Sequence, residues 1–392
     1  MCSANTGLHL WALVTIARKS RLEYWLISNV DAKERTVLTK INSSSTHRKR
    51  RMWWRSLPLI FACFSVLAAQ NQEAARAPYA PGSVIMEPRM FAPGEISTDL
   101  DESGGAFSPD GKDFYFTVLA PYTTAPHFGM ICVSHFRDGH WQKPETVSFS
   151  GIYLDFAPRL SADGNKLFFT SVRPLPGSKT LRFQLWMTEK SGDGWSEPLP
   201  VAAPINEEKS HNIEASQSAN GDMYFASDRN DPAGHMHIFY SRFVEGKFEA
   251  PEKLGPEINS EFTESSPAIS PDGNILVFAS NATGENTDQR RPQDLIAAGK
   301  PYPRQDLYVS FKRDGRWTPA RHLEHSINSF AEETYPSFTP DGKFLFWGSE
   351  RSSFNIPTKP MRRPEIEKLW SGNLNGRGNI YLISVDALEA EK

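Results

Sequence analysis

One short pattern is repeated five times along the chain. An acidic or amide residue leads into an apolar run that ends in Ser-Pro-Asp-Gly or a close variant, and a second apolar run follows. The copies read ESGGAFSPDGKDFYFTV, DFAPRLSADGNKLFFTS, NIEASQSANGDMYFASD, ESSPAISPDGNILVFAS and ETYPSFTPDGKFLFWGS, and they begin at Glu102, Asp155, Asn212, Glu264 and Glu333. A repeated unit of this kind predicts modules that stack or close into a ring, so it limits the possible folds severely.

Each copy belongs to a longer unit that predicts four short antiparallel strands. The Asp-Gly and Asn-Gly pairs are typical of tight turns because both residue types tolerate positive φ; the pairs begin at Asp110, Asp163, Asn220, Asp272 and Asp341. A third apolar run follows, and in four units a glycine and an aromatic residue then open a fourth; these glycines are Gly139, Gly194, Gly246 and Gly315. Four such strands in roughly 50 to 70 residues are typical of one β-propeller blade.

The fifth unit ends after its third strand, and the missing strand is predicted at the other end of the repeat region. Residues 85–96 resemble the fourth strand at 248–258, and Ile96 precedes Glu102 by the same interval as Ile258 precedes Glu264. Pairing this segment with the last unit would remove two open sheet edges, which otherwise invite aggregation. The sequence therefore predicts an all-β, five-bladed β-propeller of four-stranded antiparallel blades, closed by its N-terminal strand.

These motifs resemble the TolB-type, WD-repeat-like propeller repeat. The resemblance covers about residues 84–386 and depends on the Ser-Pro-Asp-Gly core, the Ser-x-Arg after the second strand and Gly-x-Trp-x-x-Pro. It implies a propeller of the kind found in exported bacterial proteins. The TolB protein itself has a six-bladed ring and an additional α/β domain. Five units fill residues 84–392 here, so the resemblance does not predict that protein's own role.

The N-terminal segments are expected to lie outside the propeller. Residues 52–69, MWWRSLPLIFACFSVLAA, have a short basic start, an apolar run and small residues at the end, which is the layout of a secretory signal peptide. An uncleaved membrane anchor is the alternative. We interpret residues 1–51 as a non-native upstream extension or a disordered segment, with a long basic leader as the alternative, and residues 70–83 as a linker. The expected location is periplasmic or secreted, with membrane contact only through this segment.

Charge and cysteine content exclude several classes of protein. The formal net charge of −3 over 392 residues favours neither nucleic acid nor an anionic membrane surface as a partner. The three cysteines, Cys2, Cys63 and Cys132, cannot form a disulfide framework. We expect a monomer.

The first residue of each repeat is expected near the mouth of the central channel. Arginines that follow three of the second strands should lie at the same face. The predicted ligand-binding set is Glu102, Asp155, Asn212, Glu264 and Glu333 with Arg173, Arg229 and Arg351. Such carboxylates would attract a divalent cation such as calcium, or a basic peptide. The alternative is that they accept backbone N–H groups or pair with the arginine of a neighbouring blade; no other cofactor is expected.

Two further features of this face leave alternatives open. Inserts at 283–305 and 352–378 join the second and third strands of units four and five and carry basic residues, so they could form a mixed-charge pocket or be solvated loops. His235 and His237 lie two residues apart on a predicted strand and could form a metal pair, although no third ligand is evident.

The sequence favours a non-catalytic function. It contains no G-x-S-x-G, H-E-x-x-H or P-loop motif. The first hypothesis is an exported binding propeller that recognises a protein, peptide or glycan in the cell envelope. The alternative is a carbohydrate-active enzyme, a glycosidase or oligosaccharide lyase, whose funnel carboxylates Glu102, Asp155, Glu264 and Glu333 supply acid and base. These acids obey the repeat, however, which favours an architectural role.

Overall fold

The computed structural model describes residues 78–79, 84–120, 128–178, 181–282, 304–324, 326–329, 331–353 and 359–390. These residues belong to the compact unit that spans Ala77–Lys392. The predicted upstream extension, the signal peptide, most of the linker and most of the first insert lie outside the described residues. Within the described part of the chain, no helix has the length and apolar character needed to span a bilayer.

Short strands make up most of the described chain. In chain order they are β1 (Arg89–Met90), β2 (Asp101–Phe107), β3 (Asp113–Leu119), β4 (Gly129–Arg137), β5 (His140–Trp141), β6 (Glu145–Thr146), β7 (Asp155–Leu160), β8 (Lys166–Ser171), β9 (Gln184–Ser191), β10 (Gly194–Trp195), β11 (Leu199–Pro200), β12 (Asn212–Gln217), β13 (Met223–Ser227), β14 (His237–Ser241), β15 (Phe243–Val244), β16 (Lys247–Phe248), β17 (Glu252–Lys253), β18 (Glu264–Ile269), β19 (Ile275–Ser280), β20 (Asp306–Arg313), β21 (Arg316–Trp317), β22 (Arg321–His322), β23 (Glu333–Phe338), β24 (Phe344–Ser349) and β25 (Asn379–Ser384). Two helices, α1 (Arg363–Trp370) and α2 (Val385–Ala390), flank β25.

The strands form five small antiparallel sheets, which are the blades of a propeller. The innermost strands of blades one to five are β2, β7, β12, β18 and β23, and the next two strands in sequence follow outward in each blade. We call the end of the propeller at which the innermost strands begin the mouth end, and the end that carries the Asp-Gly turns the turn end. The predicted five-bladed, all-β fold is confirmed.

The predicted closure of the ring is also present. Strand β1 pairs antiparallel with β25, and Arg89 lies opposite Leu382. The Phe91 N–H donates to the Ile380 carbonyl over 2.7 Å. Ile85 and Phe91 are buried in the apolar cluster between blades five and one, so the N-terminal strand supplies core as well as hydrogen bonds.

The core lies in the interfaces between neighbouring blades, and the Gly-x-Trp turns help to fill it. Trp195 of blade two packs edge-on against Tyr115 of blade one, with ring centroids 5.8 Å apart. Trp317 of blade four packs in the same way against Tyr224 of blade three, at 6.3 Å. Such aromatic pairs add about 0.5–1.5 kcal/mol each beyond the area they bury.

Every innermost strand carries a β-bulge two residues after the first residue of its repeat. The bulged residues are Gly104, Ala157, Glu214, Ser266 and Tyr335, with φ between 49° and 58°, and each blade shifts register at this point. A Cβ atom on Gly104 would lie 3.2 Å from the Cβ of Tyr335 and 3.8 Å from the Cα of Ala157. The bulges therefore meet around the axis, which the repeat alone did not predict.

Candidate functional site

The five residues predicted to ring the mouth are buried inside their blades. Glu102 is 1% exposed, and Asp155, Asn212, Glu264 and Glu333 are all 0% exposed. They occupy equivalent positions, one per blade, as predicted, but their side chains do not face open solvent. Ligand binding by these groups stays a prediction.

A residue of the preceding connection donates to most of these acids. Ser329 donates to Glu333 through its backbone N–H at 3.0 Å and through its hydroxyl at 2.5 Å. The Thr98 N–H donates to Glu102 over 3.0 Å, and the Ser150 hydroxyl donates to Asp155 over 2.8 Å. The acids thus hold the chain segment that enters each innermost strand.

The three predicted arginines lie beside the first residues of blades two, three and five. Arg173 donates through Nη2 to Asp155 over 2.8 Å and to the Phe149 carbonyl over 2.5 Å. Arg229 donates to Asn212 over 2.5 Å and to the Ile205 carbonyl. These contacts match the alternative interpretation only in part. The acids accept backbone N–H groups, but each arginine contacts the first residue of its own blade, not of a neighbouring one, and joins it to the preceding edge connection.

Arg351 makes the weakest of the three arrangements. Its Nε lies 3.7 Å from Glu333 Oε1, and its Nη2 donates to the Ser326 carbonyl over 3.0 Å and to the Ile327 carbonyl. Burial raises the pKa of Glu333 to about 7 against the lowering effect of the Ser329 hydrogen bonds. Burial likewise raises the pKa of Glu102 to about 7, although Thr98 donates to it.

The two histidines predicted as a possible metal pair have different surroundings. His237 is 2% exposed, and its ring lies 2.8 Å from Asp231 Oδ2 and 3.2 Å from Glu264 Oε2. The bond to His237 lowers the pKa of Asp231 to about 2. His235 is half-buried and contributes only its backbone N–H, to Asp231. Among the described residues, no group of three histidine, cysteine or acidic side chains could hold a metal ion.

The axis carries two buried ionisable residues, Arg159 and Glu214, that sequence reasoning missed. Arg159 donates through Nη2 to the Pro336 carbonyl of blade five over 2.7 Å. The carboxylate of Glu214 accepts the Ser266 N–H over 2.6 Å. Burial lowers the pKa of Arg159 to about 10 although Glu214 opposes this. Arg159 could have been noticed because it breaks the repeat.

In the other four blades the position of Arg159 is occupied by small residues: Ala106, Ser216, Ala268 and Ser337. At the turn end, Arg159 lines a cavity of about 130 Å³ on the axis, together with Phe107, Ile269 and Phe338. The arginine therefore closes the channel from one blade, and the axis is not an open passage for a ligand at this level.

A groove of about 600 Å³ lies between blades two and three at the turn end. Its apolar walls include Phe168, Met187, Val201, Phe243 and Phe248. Polar residues of the two Asp-Gly-type turns and of the β15–β16 hairpin lie at its edge: Asp163, Lys166, Asn220 and Lys247. A volume of several hundred Å³ with apolar walls and a few polar groups is typical of a ligand-binding cleft.

The described unit is thus a closed five-bladed β-propeller with acids and arginines buried in its blades. In three-dimensional structure it is similar to the TolB-like protein of Agrobacterium tumefaciens, with 13% identity, coverage of 73% of this chain and 90% of that chain, and a TM-score of 0.40. It is also similar to an alpha-L-arabinofuranosidase from Lactobacillus brevis, with 13% identity, coverage of 74% and 92%, and a TM-score of 0.44.

A third similar structure is the catalytic domain of the GH62 alpha-L-arabinofuranosidase of Coprinopsis cinerea, with 8% identity, coverage of 77% and 98%, and a TM-score of 0.42. At identities this low, the likenesses concern the fold alone. No protein-family model matches the chain, and no curated protein matches its sequence.

Proposed function

We propose that this protein is an exported, non-catalytic binding propeller that recognises a protein, peptide or glycan in the cell envelope. We further propose that the groove between blades two and three receives an aromatic side chain of a peptide segment. The observation that supports the proposal is the groove between blades two and three. At two other interfaces between blades, a tryptophan side chain fills the corresponding space.

The groove exists because blade three departs from the repeat. Phe168 of blade two occupies the position of Tyr115 and Tyr224, since each lies opposite the same residue of its innermost strand. Tyr115 and Tyr224 are covered by a tryptophan of the next blade. Next to Phe168 the corresponding turn is Gly246-Lys247-Phe248, which supplies a smaller ring.

The smaller ring also packs in a different direction. Phe248 contacts Phe243 of its own hairpin, with ring centroids 4.9 Å apart. Phe243 in turn lies against the turn glycine, because a Cβ atom on Gly221 would be 2.9 Å from the Phe243 ring. The space that an indole occupies at two other interfaces therefore stays open, and an incoming aromatic ring suits its shape and chemistry.

The edge of the groove suits a peptide. Lys247 is exposed, and Lys166 and Asp163 lie at the opposite side of the groove. Groups of both signs around an apolar floor can fix the orientation of a short segment whose aromatic residue is inserted. A glycan, which would also stack on aromatic rings, is the competing outcome.

Calorimetric titration of the purified propeller tests this function. The panel contains pairs of short peptides that differ only by Trp→Ala, and soluble envelope and plant glycans. We expect saturable binding to peptides that contain tryptophan and binding at least about tenfold weaker to their alanine partners, because anchor residues dominate such interfaces. Binding to glycans alone would contradict the peptide proposal, and binding to no member of the panel would contradict the proposed function.

A carbohydrate-active enzyme is the second candidate, and one observation favours it. Burial raises the pKa of Glu350 to about 7, with a contribution from Glu332, and a glycosidase needs one protonated and one ionised carboxyl. However, the cavity that these two residues line is only about 50 Å³, well below the roughly 300 Å³ of an ordinary ligand pocket. New reducing ends or unsaturated products from the glycan panel would favour the enzyme.

A further inference from the structure

A second cavity lies at the mouth end, between blades five and one. Its volume is about 50 Å³, and it is formed where β23 and β24 of blade five face β2 of blade one. Side chains of three carboxylic acids and several hydroxyl or amide groups line it: Asp101, Ser103, Gln305, Glu332, Thr334, Tyr335 and Glu350. Apart from Leu119, the side chains that line it are polar or aromatic with a hydroxyl group.

The wall of the cavity includes a glycine of blade five at a position where the other blades have a side chain. Gly348 lies opposite Thr334, and the equivalent residues in blades one to four are Thr117, Thr170, Ala226 and Ala279. A Cβ atom at position 348 would lie 3.2 Å from the Cβ of Ser103. A methyl group at this position would therefore crowd Ser103 at the wall of the cavity.

Two separate observations favour one small charged group, rather than a whole ligand, as the occupant of this cavity. First, Ser103 is 5% exposed, lines the cavity, and its hydroxyl has no hydrogen-bond partner in the described part of the chain. A buried polar group of this kind costs about 1–3 kcal/mol when it is not satisfied. The corresponding residue of blade four, Ser265, is satisfied by Gln305 over 2.9 Å.

Second, three carboxylic acids are concentrated around the cavity. Burial and the neighbouring carboxylates Glu332 and Asp101 raise the pKa of Glu350, while Arg304 opposes the shift. Burial also raises the pKa of Asp101, against the effects of the Gly378 N–H and of Arg377. A buried carboxyl group such as Glu350, whose pKa is also raised by neighbouring carboxylates, would be stabilised in its charged form by a cation placed beside it.

We propose that this cavity binds a positively charged organic group, the ammonium or guanidinium end of a ligand. The three carboxylates supply the opposite charge, the Ser103 hydroxyl accepts a hydrogen bond, and the Tyr335 ring offers a face for cation–π contact. A divalent metal ion is the competing occupant. This site lies at the end of the strands opposite the groove, so it is independent of the proposed peptide function.

Calorimetric titration of agmatine, which carries a guanidinium and an amine, tests the site at low ionic strength. Calcium chloride is titrated in parallel. The informative variants are Glu350→Gln, which removes one carboxylate, and Gly348→Ala, which crowds Ser103 at the wall of the cavity without changing charge and introduces the residue that blades three and four already have. Glu261→Gln is the matched control, because Glu261 is an exposed acid of the mouth end.

We expect saturable binding of agmatine to the unaltered protein, with a Kd of about 1 mM or tighter. Binding should be weakened at least about tenfold in Glu350→Gln and Gly348→Ala and unchanged within about twofold in Glu261→Gln. The proposal is overturned if the unaltered protein binds no agmatine or if all variants bind it equally. It is also overturned if calcium alone binds in a manner that depends on Glu350. Thermal midpoints establish whether each variant is folded. If Gly348→Ala is not folded, Glu350→Gln alone decides the outcome.

Discussion

Met90, in the first strand of the propeller, lies directly opposite Tyr381 in the last. Between these two residues the chain completes all five blades, so their pairing closes a ring by a contact between its two ends. The same pairing carries Phe91 into the apolar cluster shared by blades five and one. Contacts between such distant parts of the chain make the stability of every blade depend on the closing strand.

Replacing Phe91 by alanine should destabilise the whole propeller. The ring lies 5.0 Å from that of Phe346 in blade five and 5.6 Å from that of Trp141 in blade one, so its loss leaves a cavity between the blades. We expect the free energy of unfolding to fall by about 3–5 kcal/mol, as for other buried phenylalanines. Urea denaturation measures this free energy of unfolding, and Val84→Ala, at an exposed position, is the control. A midpoint equal to the control would contradict the closure.

Replacing Arg173 by alanine should be far more harmful than replacing an exposed arginine. Asp155 is 0% exposed and depends on Arg173 for its charge partner, so the variant leaves a buried carboxylate unpaired. We expect a loss of about 3–5 kcal/mol in unfolding free energy. Arg242→Ala, which breaks an exposed pair with Glu249 at 3.6 Å, should change it by less than about 1 kcal/mol. Equal effects would show that the Arg173 contacts add no stability.

The pattern of the repeat predicted the fold well because the fold depends on local signals. Glycine and aspartate in the turns specify hairpins, and Asp110 indeed accepts the Ser108 hydroxyl over 2.6 Å in such a turn. Closure was predictable because Ile96 keeps the register of Ile258. The β-bulges were not predictable from the sequence. The five bulged residues range from glycine to tyrosine and share no side-chain property, and their φ values depend on contacts around the axis.

The stability of the protein should fall as the pH rises from about 4.5 to about 7. The pKa values of Glu102 and Glu333 are raised from 4.5 to about 7, because both carboxyls are buried. Below 4.5 both groups are protonated in the folded and unfolded states, and their stabilising contribution is fully present. As the pH rises through 7 it is lost, because only the unfolded chain can ionise them without desolvation.

Substituting both acids by glutamine should remove much of this pH dependence. Each shift corresponds to at most about 3 kcal/mol, at 1.36 kcal/mol for each pKa unit. Urea unfolding at pH 5 and pH 8 gives the difference for the unaltered protein and for the variant with Glu102→Gln and Glu333→Gln. A variant that shows the same difference would contradict the assignment of the effect to these two groups.

The sites were less predictable than the fold, and the reason is physical. The residues that obey the repeat, such as Asp155 and Arg173, form contacts inside the blades, whereas the open spaces arise where the repeat is broken. Gly348 and Phe248 are such exceptions, since each is smaller than most of its counterparts. The sequence directed attention to the acids that the repeats share. The open spaces could not be predicted, because the effect of a smaller side chain depends on which residues of the next blade face it across the interface.

The most direct test of the central claim compares two tryptophan variants in the binding of N-acetyltryptophanamide. Phe248→Trp restores the ring that other blades carry and should fill the groove, while Val244→Trp places the same ring on the exposed side of the hairpin. We predict that the unaltered protein and Val244→Trp bind the amide equally and that Phe248→Trp binds it at least about tenfold more weakly. Binding that is as strong in Phe248→Trp as in the unaltered protein would contradict the assignment of the groove as the binding site.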